Sequence, residues 1–427
     1  MMVNILKVLP IFNDPNQSLP ILMQVWYYIF VISCFLVFYN YAGYAIPIWF
    51  LNKLSGKKIV PPASPYTPGL TLIIAAYNEE SFIKKKIGNS LEQNYPASQL
   101  EIIIVTDGST DQTPDIVSRY PSIRLLHQPQ RQGKSAAVNR AVLQARHDII
   151  VFSDANTLLN KDALLHLAAH YDDRKVGGVS GEKKVVNPGN SGGTKDEKAS
   201  QAGDGEGMYW KYESFLKKVD SAFYSVVGAA GELWSVRKEL YTHLPDNVIL
   251  DDFILSLKAA AKGFRILYEP KAVAMELPSF SLKDEKKRKV RISAGGFQSI
   301  VMLKGLLLFW RHPRLSFLYI SHRVLRWTLS PLCMTLALVS NGIIALQTGR
   351  RTFVVLLALQ LGFYGMALLS PLPFLPRKLG KIFRIPYYFV FMNVSVIQGF
   401  FRWLKGSQSS VWEKARRTEG DMVIVDP

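Results

Sequence analysis

Cysteine is nearly absent: the 427 residues contain two, Cys34 and Cys333, and both lie in apolar stretches. That excludes a disulfide-stapled secreted scaffold. Charge is sparse as well, at 20% of residues against 48% hydrophobic and 12% aromatic. Such a composition is too apolar for an intrinsically disordered chain. Acidic residues are the scarcer sign, 33 against 51 basic, leaving a net charge of +18 and a pI near 9.7. No internal repeat is visible, so an inverted-repeat transporter has no support. The basic excess gathers at the borders of apolar segments rather than along one soluble stretch. It therefore points to membrane lipids or a phosphorylated ligand as partners, and not to nucleic acid.

The first long gap in charge is residues 25–51, which hold no Asp, Glu, Lys or Arg. At 1.5 Å per residue this is enough for a tilted membrane-spanning helix. It follows a mixed stretch with no basic n-region, which argues against a cleavable signal. Residues 328–347 and 352–372 are also uncharged and long enough to cross. Residues 385–401 are shorter, rich in aromatics and interrupted by Asn393 and Gln398; they are read as a crossing or, preferably, an interfacial helix. Lys53, Lys57 and Lys58 follow the first gap, and basic residues crowd 283–291 and 311–326. The positive-inside rule then puts the central region in the cytoplasm, residues 1–24 outside, and the basic tail 402–427 inside. Arg350 and Arg351 fall outside, a small exception. The expectation is a multi-pass protein of the cell (inner) membrane with a soluble domain inserted between its spans.

Within that domain, residues 70–75 (LTLIIA), 101–105 (EIIIV), 123–126 and 148–152 (DIIVF) read as strands. Helix-like stretches at 79–93, 111–119 and 134–145 alternate with them. Continuous apolar strands between helices predict an α/β fold whose mostly parallel sheet is covered on both faces. Ligands of such sheets bind beyond the strands' carboxyl ends. There the chain places Tyr77 and Glu79, then Asp107, then Lys134, then Asp154 and Asn156. Singly, such residues are common helix caps, the reading that also suits Ser109 and Asp111. Together at one sheet edge they make a ligand site. A tyrosine stacks on a base, an aspartate accepts from a ring N–H, a lysine meets a diphosphate, and a carboxylate holds a hard cation.

The segments AAYNEE, VTDGSTDQT, RQGKSAAVN, SDAN, GAAGELWSVR, DDFILSLKAAAKGFRILYEP and RVLRW occur in the order found in family 2 glycosyltransferases. The chain most resembles the membrane-embedded branch that includes cellulose, chitin, hyaluronan and poly-N-acetylglucosamine synthases. This resemblance implies a GT-A domain over 68–282, an inverting reaction, and a nucleotide-diphospho-sugar donor. The acceptor would be a growing glycan or a lipid-linked precursor, with polysaccharide export partners in attendance. It assigns Tyr77, Glu79 and Asp107 to the nucleoside, with Lys134 and Arg326 toward the diphosphate. Asp154 and Asn156 match the DxD motif for Mg²⁺ or Mn²⁺, with an amide where the family usually has an acid. In the Asp251-Asp252 pair the second residue matches the catalytic base, and Asp251 stands beside it in the acceptor site.

Residues 323–327 match QxxRW with Arg323 for the Gln, which places Arg323 and Trp327 near the acceptor. Membrane anchoring is the alternative for this motif. Residues 283–291 and the following ISAGGFQ resemble a gating segment, the first part of a 283–327 interfacial region. Residues 187–206, rich in Gly, Ser and charge, read as a flexible loop. WEKARR in the tail resembles a family pattern that latches onto the catalytic face. Two other functions compete: transfer of one sugar to a polyprenyl phosphate, and a non-catalytic export subunit.

Overall fold

A computed structural model describes residues 20–55, 66–186, 197–279, 281–370 and 377–406. Most of the N-terminal stretch, Lys57, Lys58 and the WEKARR segment lie outside the described residues. In chain order the elements begin with α1 (Ile21–Phe38), a π-helical turn (Tyr39–Gly43) and α2 (Ala45–Ser55). There follow β1 (Leu70–Ala76), α3 (Ile83–Leu91), β2 (Leu100–Asp107), α4 (Thr113–Ser118), β3 (Arg124–Gln128), α5 (Lys134–Gln144) and β4 (Ile149–Asp154). The second half of the sheet comes from β5 (Leu158–Leu159), α6 (Ala163–Ala169), β6 (Val176–Val185), α7 (Glu197–Phe223), β7 (Leu233–Arg237), α8 (Asp251–Ala261) and β8 (Arg265–Glu276). Five helices finish the chain: α9 (Leu282–Met302), α10 (Pro313–Tyr319), α11 (Leu325–Thr348), α12 (Arg351–Leu369) and α13 (Arg377–Leu404).

The eight strands form one sheet in the order β3-β2-β1-β4-β7-β6-β8-β5. β1 pairs in parallel with β2 and β4, and β2 with β3. Beyond β4 the sheet turns mixed: β7 is antiparallel to β4 and β6, while β6 and β8 are parallel. Every residue of β1 is buried. Ile73 and Ala75 join the core under α5 and α8, whereas Leu72 and Ile74 join the core under α3 and α6. Successive side chains thus enter opposite apolar layers, as a strand covered on both faces requires.

The four expected strands are present within a residue or two. α3 starts at Ile83 rather than at 79, because Glu79 turns the chain first, its carbonyl accepting from Phe82 and Ile83 N–H. The loop reading of 187–206 needs correction from Glu197 onward, where α7 begins. Its sequence hides a helix because Gly203, Gly205 and Gly207 dilute the periodicity, while Ser214 reaches Glu182 of the sheet and Val219 receives Asn52 of α2.

Among the described residues, three helical stretches are long and apolar enough to cross a membrane: Ile21–Gly43, Pro313–Thr348 and Arg351–Leu369. α1 and α11 lie together, and Asn40 donates to Ser330 Oγ at 2.6 Å in their contact. Tyr27 meets Phe353 edge-on at 5.0 Å. α13 packs along α9 and α12 instead. Tyr212 on α7 donates to the Tyr41 carbonyl, and Asn52 to that of Val219, so the sheet domain is tied to the first helices.

Candidate active site

The carboxyl edge of the parallel strands is laced together before any ligand arrives. After β1, Asn78 takes a positive φ of 52°, so its side-chain oxygen accepts from Thr110 N–H at 2.8 Å. Ser109 Oγ accepts from Asn78 N–H and Thr113 Oγ1 from Glu79 N–H. Ser109 therefore braces two loops rather than capping a helix. Asp111 Oδ1 accepts from Thr113 N–H at the entry to α4 and its Oδ2 from Glu80 N–H, so it does both. Tyr77 lies beneath the Arg131 guanidinium, 3.5 Å from ring centre to carbon. Gly108 makes this possible: φ is +69°, and a Cβ there would stand 2.5 Å from the Arg131 Cβ.

Asp107, at the end of β2, is 5% exposed. Its Oδ2 accepts from Gln132 and Gly133 N–H at 2.9 and 2.6 Å, and its Oδ1 from Arg140 at 3.1 Å. It thereby fixes the turn that opens α5, with Gly133 at φ +103°. Lys134 is the first residue of that helix, and its ammonium reaches Asp154 Oδ1 at the end of β4, 2.6 Å away. Burial alone would lower the Lys134 pKa, but Asp154, Asp251 and Asp252 outweigh it and hold the ammonium above its ordinary range.

Across from this pair, α8 begins with Asp251 and Asp252. Both line a cleft that Lys134, Asp154, Ser153, Gly231 and Trp234 also line. Trp234 stacks on Phe152 at 4.9 Å to form an apolar floor. Gly231 allows the approach of the acid, since a Cβ there would lie 2.8 Å from Asp252 Oδ2. The Asp252 carboxyl is pushed up to about 7, by burial first and then by the like charge of Asp251, with Lys134 opposing. A proton acceptor poised near neutrality suits general-base work.

The edge of the cleft carries more charge than the motifs suggest. Asn156 donates weakly to Glu276 Oε1 at 3.4 Å. Lys183, with its side chain fully buried, pairs with Glu232 at 2.6 Å and also with Glu276. Burial would raise the Glu232 pKa, but Lys183 holds it below the usual carboxylate range. Arg291 on α9 is half-buried; desolvation and then the neighbouring Arg288 lower its pKa, while Asp154 and Asp251 act on it in the opposite sense. Arg291 is thus the α9 cation in the field of the cleft acids. Its signal in the sequence was submerged in the basic run 283–291.

The RVLRW residues are elsewhere. Among the described residues, the lining of the cleft includes none of Arg323, Arg326 and Trp327. Arg323 and Arg326 both bind the buried Glu213 of α7, at 2.8 and 2.6 Å, and Arg326 also donates to Tyr212. Trp327 packs on Phe253 at 5.4 Å and covers Gly296. It supports α8, the helix that begins with Asp251 and Asp252, from behind rather than offering an open face. Tyr77, Glu79 and Asp107 sit at the β1 and β2 end of the sheet edge, and Lys134, Asp154, Asp251 and Asp252 share the cleft.

Sheet order and cleft together are those of a GT-A glycosyltransferase domain. Residues 71–244 match the family described as Glycosyl transferase family 2. A poly-beta-1,6-N-acetyl-D-glucosamine synthase of Staphylococcus aureus (strain COL) is 26% identical over 241 residues, which is 55% of this chain and 56% of the relative. A probable glycosyltransferase, YdaM of Bacillus subtilis (strain 168), is 26% identical over 261 residues, 58% of this chain and 59% of the relative. The chain thus spans little more than half the length of these curated relatives. Among solved structures, a mannosyltransferase from Pyrobaculum calidifontis, in complex with GDP-Man and Mn²⁺, shares the fold with a TM-score of 0.66. It is 24% identical, and the match covers 88% of this chain and 99% of that one.

Proposed function

We propose that the chain is an inverting, membrane-bound glycosyltransferase that moves a sugar from a nucleotide-diphospho-sugar to a hydroxyl of a glycan or lipid-linked acceptor. The observation that carries this reading is one cleft with a cation and an acid at its donor end and a carboxylate poised near neutrality opposite. The name of the Staphylococcus relative favours polysaccharide synthesis, and a UDP-sugar is the donor we propose.

In this reading the nucleoside lies near Tyr77, Glu79 and Asp107, and the diphosphate at the N-terminus of α5 beside Lys134. Asp252 takes the proton of the acceptor hydroxyl as its oxygen bonds to the anomeric carbon. The bond from that carbon to the diphosphate breaks, and its electron pair leaves with the nucleotide. Lys134, kept protonated by its acidic neighbours, stabilises the charge that develops there, and Arg291 adds to the same field. Asp251 keeps the base's proton affinity high.

A divalent cation fits the donor end. Asp154 offers one carboxylate, and the Asn156 amide, whose nitrogen is turned toward Glu276, offers its carbonyl oxygen. One acid, one amide and diphosphate oxygens form a donor set of the kind Mg²⁺ or Mn²⁺ accepts. Such an ion would neutralise diphosphate charge.

The same reading orients the molecule. Three crossings from an external N-terminus leave the sheet domain and α13 in the cytoplasm, with α13 lying at the interface. Lys53 and the exposed Lys283, Lys286 and Lys287 of α9 then face the anionic leaflet.

The test uses purified protein in lipid nanodiscs with Mn²⁺ and lipid-extract acceptors. UDP-glucose, UDP-N-acetylglucosamine, UDP-galactose, UDP-glucuronate and GDP-mannose are screened for nucleotide diphosphate release. Release with one donor, lost in Asp252→Asn, is expected. Silence with every donor would contradict the reading. Product length separates polymer synthesis from transfer of a single sugar.

A further inference from the structure

α3 contains three successive lysines of unlike fate. Lys84 and Lys85 are exposed, whereas Lys86 is fully buried. Burying an ammonium is costly unless its hydrogen bonds are made. A methionine would fill similar volume without that penalty, so the position of the charge calls for a reason. No carboxylate forms an ion pair with Lys86 among the described residues. Its Nζ donates to Ser153 Oγ at 2.7 Å and, more loosely, to Thr157 Oγ1 at 3.5 Å.

Those two hydroxyls bracket Asp154-Ala155-Asn156. Each hydroxyl has a single proton, and each spends it on a backbone carbonyl. Ser153 donates to Glu232 at 3.1 Å and Thr157 to Asp154 at 2.9 Å. Lys86 therefore supplies the donor that both hydroxyl oxygens still accept. Ser153 links β4 to the residue after Gly231, against which Asp252 lies. Beneath the cleft floor, one buried lysine thus joins the end carrying Asp154 to the end carrying Asp252.

We propose that Lys86 is a positioning residue for the donor site: through Ser153 and Thr157 it holds the 154–156 turn so that Asp154 and Asn156 face the donor's diphosphate and its divalent cation. This rests on the transferase reading and adds to it a residue that touches neither substrate.

The test compares full-length wild type with Lys86→Met, Ser153→Ala and Thr157→Val in nanodiscs. Three quantities are read: Mn²⁺ binding by electron paramagnetic resonance in the presence of UDP or GDP, donor KM against kcat, and the thermal midpoint. Lys86→Met is expected to raise the half-saturating Mn²⁺ concentration and the donor KM about tenfold or more, the usual scale for a supporting partner of a metal ligand. kcat at saturation should fall less. Ser153→Ala and Thr157→Val should each reproduce a smaller, several-fold part. Should Lys86→Met fail to fold, the two hydroxyl variants decide. Wild-type Mn²⁺ demand and donor KM in a folded Lys86→Met, or in both hydroxyl variants, would overturn the proposal. A wild type that binds neither nucleotide nor Mn²⁺ would instead defeat the transferase reading beneath it.

Discussion

Carboxylates and cations meet at two places in this chain, with opposite electrostatic results. In the cleft, Asp252 stands beside Asp251, and Lys134 is shared among these acids and Asp154. Its carboxyl is pushed up to about 7 by burial and like charge. Beneath α11, Glu213 is more deeply buried, yet Arg323 and Arg326 outweigh that burial and hold its carboxyl well below the usual range. The second acid is matched by its partners, and its ionisation is locked. The first is under-matched and ready to exchange a proton. A motif rich in Arg and Trp can therefore be held in a buried ion-pair cluster, while a plain Asp-Asp at a helix start lines the cleft and, in the function we propose, carries the chemistry. The sign of the shift separates the two roles better than residue type does.

The comparison can be broken by removing one group at a time. Asp252→Asn should lower turnover about a thousandfold, within the range for a general base. UDP or GDP binding, followed by calorimetry, should stay near wild type. Arg326→Met leaves the Glu213 carboxylate buried with fewer partners and should cost roughly 3–5 kcal/mol of stability. A lower thermal midpoint, partly restored by adding Glu213→Gln, is the expected reading. An unchanged midpoint with a raised donor KM would move that cluster into the substrate site. Lys134→Met should raise donor KM about tenfold to a hundredfold, since a charge-assisted bond to phosphate is worth about 1.5–3 kcal/mol. A KM within twofold of wild type would remove Lys134 from the donor site.

A smaller effect sharpens the contrast through pH. A base that titrates near 7 makes kcat/KM climb as pH rises through 7 and then level off. The stability term runs the other way. The folded pKa of Asp252 lies above its unfolded value, so folding gains from its protonation at low pH and loses that gain as pH rises through about 7. Asp252→Asn should therefore unfold at a higher temperature than wild type at pH 8, and the gap should close at pH 5. Glu213 has a depressed folded pKa, so its contribution is present above the unfolded value and fades only as pH falls through the acid range. Thermal midpoints measured from pH 3 to 9 distinguish the two acids.

What was legible in the sequence follows the same division. β1 to β4 announce themselves as buried apolar runs, and their carboxyl ends named Asp107, Lys134 and Asp154. The acidic pair could be placed at a helix start from the spacing of FILSLKAAAKGF. The mixed half of the sheet was harder. β6 reads VGGVSGEKKV, in which glycines dilute the strand pattern and Lys183 looks solvated. Its burial depends on Glu232 and Glu276, which lie about fifty and ninety residues further along the chain. Lys86 is hidden for the same reason, as one of three identical residues of which only the third points inward. RVLRW carried a substrate role through its resemblance to QxxRW, and its contact with Glu213 could not be read from the motif because the two lie about 110 residues apart. Local pattern reveals elements, whereas the role of a charge is set by partners distant in sequence.

The most direct measurement takes Asp252→Asn and Arg326→Met through one nanodisc preparation, recording nucleotide diphosphate release and the thermal midpoint side by side. The account predicts that Asp252→Asn loses release with its midpoint kept or, above pH 7, raised, and that Arg326→Met loses midpoint first while the fraction still folded turns over donor. Full release by Asp252→Asn, or a stable Arg326→Met that no longer turns over, would contradict it.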